Sequence, residues 1–294
     1  KQGGLYVFTP TITSTNSYWY QGTADALYQN INFLKESHEP YVVIASGDGI
    51  YKLDYNKVLE EHIKKGADIT IVCKDIDPDE DDVSRFGIVK CNDDMQVIDF
   101  EEKPLVAKTS TASIGVYVIR RRQLIELLEA CAKEGRTDFV KDILIRYKNV
   151  KKIYAYKMDS YWRNIGTIDS YYRTNMDFLK KDVRDYFFKQ YPEVHSKVAD
   201  LPPAKYNVGV TVKNSLLASG CIVNGTVENS VLFRGVKVGK GAVIKNCILM
   251  QDAEVGDKCE LNYVIADKNV KVGNYRSLCG TVDYPVFVNK NSAV

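Results

Sequence analysis

The sequence predicts two domains in series. The first is an α/β domain with a Rossmann-like mixed or parallel sheet over residues 1–190. A linker at 191–206 leads to a left-handed parallel β-helix of hexapeptide repeats over residues 207–294. Three observations carry this reading. Apolar strand-like runs alternate with helical periodicity in the first half. Val238-Gly239, Val255-Gly256 and Val272-Gly273 recur every seventeen residues. Within a coil, Leu232, Val238 and Ile244 stand six apart, as do Leu249, Val255 and Leu261. A six-residue apolar beat closing in triplets fits coils whose strands pair with their equivalents in neighbouring coils.

Taken in order, residues 22–37 form the first expected helix, with Thr23 as N-cap and Ala24, Leu27, Ile31 and Leu34 on one face. Tyr41-Val-Val-Ile-Ala45 is continuously apolar, the pattern of a strand buried on both faces. Asp48 then falls just past a strand's carboxyl end, where open α/β sheets place their ligands. A helix near 55–65 leads to the apolar run Ile69–Cys73. Between 85 and 118 come short strands: Phe86-Gly-Ile-Val, Val97–Phe100 and Ser113–Ile119. A helix near 121–134, a strand at 150–158 and helical segments over 167–188 complete the domain. Pro192, Pro202 and Pro203 mark the linker. In the repeats, Asn214-Ser, Asn229-Ser, Asn246-Cys and Asn262-Tyr each precede a pair of apolar residues.

Composition narrows the function. Forty Lys+Arg against 38 Asp+Glu give a nearly neutral chain of 294 residues, with nothing that calls for nucleic acid or an anionic membrane. No apolar run reaches membrane-spanning length. Seven scattered cysteines without a C-x-x-C pair fit small buried hydrophobes in a reducing cytoplasm. The three histidines (38, 62, 195) keep no zinc-ligand spacing with any cysteine.

Several short motifs carry chemistry. The segment Trp19-Tyr20-Gln21-Gly22-Thr23-Ala24-Asp25-Ala26 reads as an ordinary loop and N-cap or as a base-recognition turn. Glu102-Lys103-Pro104 reads as a solvated charged turn or as a carboxylate–ammonium pair for a sugar phosphate. Gly87, after Arg85-Phe86, and Gly115, after Ser113-Ile114, are either sheet bends or points where backbone N–H groups reach ligand hydroxyls. Asp138 either orients a sugar or caps the following helix, the cap being preferred.

In this order the motifs resemble bacterial ADP-glucose pyrophosphorylases, which make ADP-glucose from ATP and glucose 1-phosphate. The resemblance covers essentially the whole chain from Trp19 onward. It implies nucleotide contacts at Tyr20, Gly22 and Thr23. It implies glucose 1-phosphate contacts at Glu102, Lys103, Ser113, Gly87 and Asp138. In that family, aspartates in Gly-Asp-His and Trp-Arg-Asp segments hold Mg²⁺. Here the segments read Gly47-Asp48-Gly49 and Trp162-Arg163-Asn164, so Asp48 is left as a weak metal position and Asn164 as a degenerate one. Val140 replaces a further family glycine.

These departures are similar to the GlgD-type subunit branch of Gram-positive bacteria. They imply a regulatory, catalytically weak or inactive partner of a catalytic subunit in a cytoplasmic tetramer of glycogen biosynthesis. The alternatives are an active adenylyltransferase in its own right, a structural partner without ligand, and an acyltransferase. The last is disfavoured because residues 206–294 contain no histidine base. The family's glycine-rich phosphate loop has no counterpart in this chain. The expectation is a natural N-terminus upstream of Lys1, weak ATP binding and better retained glucose 1-phosphate binding. Tyr275, Leu278, Tyr284, Val286, Phe287 and Val288 are expected either to cap the β-helix or to meet a partner.

Overall fold

The computed structural model describes residues 4–10, 19–77, 82–196 and 198–294. The chain forms two compact units, residues 1–47 with 54–160, and residues 48–53 with 161–294.

The first unit holds a mixed sheet. Its helices α1 (Thr23–Gln29) and α2 (Ile31–Glu36) are followed by strand β1 (Tyr41–Ala45). The expected single helix over 22–37 is therefore broken. The break lies at Asn30, whose side-chain Nδ2 donates to the Ala26 carbonyl at 2.8 Å and competes with the helical ladder there. Thr23 is the first helical residue rather than the N-cap, which is Gly22.

Strand β2 (Gly49–Tyr51) belongs to the second unit, and helix α3 (Tyr55–Lys64) returns to the first. Strands β3 (Ile69–Asp75), β4 (Gly87–Cys91), β5 (Val97–Glu102) and β6 (Thr111–Arg120) follow. Helix α4 (Arg121–Lys133), a π-helical turn (Val140–Ile145) and strand β7 (Ile153–Lys157) complete this unit.

The sheet order is β5-β4-β6-β3-β7, with β1 also on β6. Among the described residues of this sheet only β3 and β7 pair in parallel; β1, β3 and β4 all run antiparallel to β6. One edge of β6 is thus shared, with Ala112 facing β4 and Val116–Arg120 facing β1. Gly115 separates the two halves at φ +75°, a left-handed conformation that suits glycine.

The expectation that Tyr41–Ala45 is buried on both faces is corrected. Its residues are half-buried or exposed, Val43 at 43 %, because β6 is its one strand partner among the described residues. Burial on both faces falls instead to β3, where Ile69, Ile71, Val72 and Cys73 are fully buried. They join Ile119, Leu124, Leu128, Phe139 and Ile143 in the core of this unit.

In the second unit β2 pairs antiparallel with β8 (Trp162–Asn164), placing Gly49 opposite Asn164. Helices α5 (Ile168–Asp177) and α6 (Lys181–Lys189) follow, and then a parallel β-helix of about four turns. Its three sheets each hold five strands, stacked in parallel, as in Thr211–Lys213, Thr226–Glu228, Val243–Lys245, Glu260–Asn262 and Ser277–Cys279. The hexad residues Leu232, Val238, Ile244, Leu249, Val255 and Leu261 are all buried in its interior. The Val-Gly beat has a steric cause. A Cβ on Gly239 would stand 2.5 Å from the carbonyl oxygen of Gly256, one coil on.

Asn214, Asn229 and Asn246 occupy left-handed corners, as Asn residues tolerate. The fourth such corner belongs to Tyr263 (φ +52°), not to Asn262 as the repeat pattern implies. Asn262 instead pairs with Lys245 in the sheet and accepts the Asn246 side-chain N–H at 2.9 Å.

Two boundaries also differ from the sequence reading. Lys205–Tyr206, expected in the linker, pairs with Ile222–Val223 as a β-helix strand. Residues 161–190, expected in the first domain, cluster with the β-helix. The Tyr172 hydroxyl donates to the Asn246 carbonyl at 2.8 Å, Arg173 pairs with Asp283 at 2.9 Å, and Tyr172 packs with Ile248 and Ile265. Val286–Val288 adds to Val264–Ala266 as a further strand, while Tyr275 and Tyr284 stay exposed.

Candidate functional site

The first unit contains a cavity of about 640 Å³, lined mainly by apolar side chains with a few polar groups among them. Tyr20 and Thr23 from the first motif and Glu102 and Lys103 from the charged turn all line its wall, as does Gly115. Segments eighty residues apart in sequence are thereby brought to one space. A mostly apolar hollow with a few convergent polar groups has the composition of a small-molecule site.

Glu102 ends β5 and is half-buried. Burial pushes its carboxyl up from the ordinary value; Lys103 opposes this and Asp138 adds to it. Gly87 lies opposite Glu102 in the β4–β5 ladder. A Cβ there would stand 2.6 Å from Phe100 Cζ and 2.9 Å from Glu102 Oε2. Gly87 therefore makes room for the carboxylate, a role neither sequence alternative named.

Lys103 holds φ +49°, uncommon outside Gly, Asn and Asp, and its ammonium lies 3.9 Å from Glu102 Oε1 with the side chain largely exposed. A half-buried carboxylate beside an exposed ammonium can accept hydroxyl protons and hold a phosphate. Ser113 is buried and its Oγ lies 3.4 Å from the Tyr117 hydroxyl. Burial pushes that phenol up to about 12, against the opposing Ser113 bond.

The first motif is arranged differently from its sequence reading. The N–H groups of Ala24 and Asp25 both donate to the Thr137 carbonyl, at 2.8 and 3.2 Å. The amino end of α1 is therefore satisfied by backbone. Gly22 permits this approach, since a Cβ would stand 2.4 Å from the Thr137 oxygen. The Thr23 hydroxyl accepts the Phe139 N–H at 2.9 Å. Asp138 Oδ1 accepts the Lys141 N–H at 2.9 Å, the local bond of a capping residue.

Asp48 and Asn164 come together in the second unit, on the β2–β8 ribbon. The Ile165 N–H donates to the Asp48 carbonyl at 2.8 Å, so the two turns are knitted by backbone. Asn164 Oδ1 accepts the Gly166 N–H at 2.9 Å, closing a turn into the Thr167 cap of α5. One carboxylate and one engaged carboxamide fit Mg²⁺ poorly, because that ion takes carboxylate and phosphate oxygens. Among the described residues no group of three His, Cys, Asp or Glu side chains is placed to hold a metal.

Lys52, four residues beyond Asp48, is buried. Its ammonium donates to the carbonyls of Tyr186 (2.8 Å), Phe187 (3.2 Å) and Gln190 (2.5 Å) at the carboxyl end of α6. The sequence reading missed Lys52, and also Asn30, Tyr117 and Phe139 on the cavity wall. Tyr117 had a legible signal, since it lies four residues after Ser113 in the same strand and so faces the same side. Asn30 had none, because its importance comes from a helix break.

Comparison with known proteins places these features. A nucleotidyl transferase family model matches residues 4–181, and a model of the GlmU-like C-terminal hexapeptide domain matches residues 202–279. A glucose-1-phosphate adenylyltransferase of Clostridium botulinum (strain Alaska E43 / Type E3) is 40% identical over 300 residues, covering 93% of this chain and 77% of its own length. That of Bacillus mycoides (strain KBAB4) is 37% identical over 273 residues, covering 92% and 72%. That of Clostridium perfringens (strain 13 / Type A) is 39% identical over 258 residues, covering 87% and 65%. No helix among the described residues is long and apolar enough to cross a membrane.

Proposed function

This chain belongs to the nucleotidyl transferase family, and from that premise we propose that it is a regulatory, catalytically weak or inactive subunit of glucose-1-phosphate adenylyltransferase. The reading places it in glycogen biosynthesis, in an assembly whose catalytic subunit converts ATP and glucose 1-phosphate to ADP-glucose and pyrophosphate. The observation that carries it is Asn164. A carboxamide stands across the ribbon from Asp48 and Gly49, with its oxygen already engaged by Gly166. In phosphoryl transfer the metal neutralises developing charge, so a site with one carboxylate gives up most of that stabilisation.

Glucose 1-phosphate recognition is the function this chain keeps. Glu102 accepts sugar hydroxyl protons, Lys103 neutralises the phosphate, and Ser113 with Tyr117 supports the same wall. The nucleotide side of the site falls to Tyr20, Gly22 and Thr23. Partner binding involves the β-helix, whose exposed Tyr275 and Tyr284 suit an interface.

The second reading is an active adenylyltransferase, favoured by the intact Glu102–Lys103 wall. Assay of the protein alone with ATP, Mg²⁺ and glucose 1-phosphate separates the two. The regulatory reading expects negligible turnover, restored in part by Asn164→Asp. Turnover in the common enzymatic range of ~1–10³ s⁻¹ by the unaltered protein would overturn it. Light scattering alone and with a catalytic homologue tests assembly; a monomer in both rejects it.

A further inference from the structure

A second cavity, of about 250 Å³, lies in the first unit between α3, the tip of the β4–β5 hairpin and β7. It shares no lining residue with the larger cavity. Thr70 pairs with Tyr154 in the β3–β7 ladder, so the two project on one face and line this space together. Thr70 is 2 % exposed, and its Oγ1 lies 2.8 Å from Nδ1 of His62, which is 1 % exposed. Burial, with Arg120 adding to it, brings the imidazole down to about 4, so at neutral pH the ring is uncharged and carries one proton. Nε2 is buried and has no partner among the described residues. A proton there would be a stranded donor, and buried donors without partners are rarer than bare acceptors. The proton therefore sits on Nδ1 and is given to Thr70 Oγ1. The Thr70 hydroxyl keeps its own proton to give, and among the described residues its oxygen has no second partner. Lys65 adds charge to the same wall. Its ammonium donates to the Asp94 carbonyl at 2.9 Å and lies 5.5 Å from the centre of the Tyr154 ring, both neutral partners. Lys157 is instead paired with Asp75 at 2.8 Å, and Glu61 lies 3.6 Å from Lys64.

We infer that this cavity binds a compact carboxylate with an apolar body, of the size of 4-methylpentanoate or leucine. The carboxylate accepts the Thr70 hydroxyl proton and pairs with the Lys65 ammonium, supplying the acceptor the first lacks and the charge the second lacks. Tyr154, Tyr156 and Met95 give the apolar body its surface. The volume falls below that of drug-sized pockets and so selects a small ligand. Glu61, on the same wall, would face the ammonium of an amino acid. This site is independent of the adenylyltransferase reading.

The test titrates the protein with 4-methylpentanoate, leucine and 4-methylpentan-1-ol by ligand-observed NMR. The alcohol keeps the apolar body and lacks the carboxylate. The unaltered protein should bind 4-methylpentanoate in the millimolar range and the alcohol roughly ten-fold more weakly. Lys65→Met should weaken 4-methylpentanoate roughly ten-fold and leave the alcohol within about two-fold. Lys65→Arg, which keeps the charge, should retain most of the affinity. Thr70→Val should weaken 4-methylpentanoate about five-fold. Thermal melting checks that each variant folds; if Thr70→Val does not, because it strands the His62 N–H, the Lys65 pair decides. Leucine bound more tightly than 4-methylpentanoate, with Glu61→Gln removing the excess, makes the ligand an amino acid; the reverse order makes it a plain carboxylic acid, and both uphold the site. The assignment is overturned if 4-methylpentanoate does not bind in the millimolar range, or if the alcohol binds as tightly. It is overturned equally if Lys65→Met leaves the affinity unchanged, or if glucose 1-phosphate displaces 4-methylpentanoate, which would place the acid in the larger cavity.

Discussion

Gly87 and Glu102 face each other across the β4–β5 ladder, and the carboxylate occupies the space a side chain at position 87 would take. The position of the acid is thus set by an absent Cβ on the neighbouring strand. Gly87→Ala should push Glu102 and Phe100 aside. Overpacking of this kind costs typically about 1–3 kcal/mol of stability. The same variant should weaken glucose 1-phosphate binding by roughly ten-fold, the loss of one charge-assisted hydrogen bond. Calorimetric titration checks the second effect and denaturant unfolding the first. Unchanged affinity would show that Glu102 does not touch the ligand.

Glu102 also sets a pH dependence. Burial raises its folded-state value above that of the unfolded chain. The folded state then binds the proton more tightly, so this group's contribution to stability falls as pH rises from the unfolded value through the folded one. Glu102→Gln should remove that fall, leaving the variant the more heat-stable above this window while its glucose 1-phosphate binding drops. Melting curves from pH 4 to 8 check the sign. A variant less stable than the parent at the upper end would contradict it.

Lys52 ties the segment bearing Asp48 to α6 by three hydrogen bonds to helix-end carbonyls. Lys52→Met keeps the length of the stem and removes every donor. Stranding these carbonyls should cost roughly 2 kcal/mol or more in denaturant unfolding. A cost under about 0.5 kcal/mol, the range of a neutral surface change, would mean that water replaces the ammonium freely.

The β-helix corner at Asn246 separates backbone from side-chain effects. Asn246→Ala meets both the left-handed φ of +51° and the loss of the bond to Asn262. It should cost about 1–2 kcal/mol. Asn246→Gly loses only the bond and should cost less. Equal costs would place the whole effect in the side chain.

Much of the architecture was legible because its causes are local or repeated. Each hexad of the β-helix repeats the same buried apolar position, and the repeat multiplies a weak pattern into a certain one. Ile244 and Leu261 follow the beat and are buried as it requires. The candidate site had its signal in short motifs, of which Tyr20, Thr23, Glu102 and Lys103 line one cavity. The corner at Tyr263 was not legible. Asn262 copies the composition of the earlier corners, yet strand pairing with Lys245 sets the register one residue later. The wrapping of Tyr41–Ala45 was not legible either, since an apolar run does not say how many strands flank it.

By itself, then, the sequence determined the order of elements, the β-helix interior and the presence of an amide rather than an acid at position 164. Tertiary structure decided what Gly87 makes room for, which carbonyl satisfies the start of α1, and where Asn30 points its amine. These depend on Glu102, Thr137 and Tyr20, residues brought near by chain reversal. Their effects pass through a single close approach or hydrogen bond, which leaves no periodic mark on the sequence.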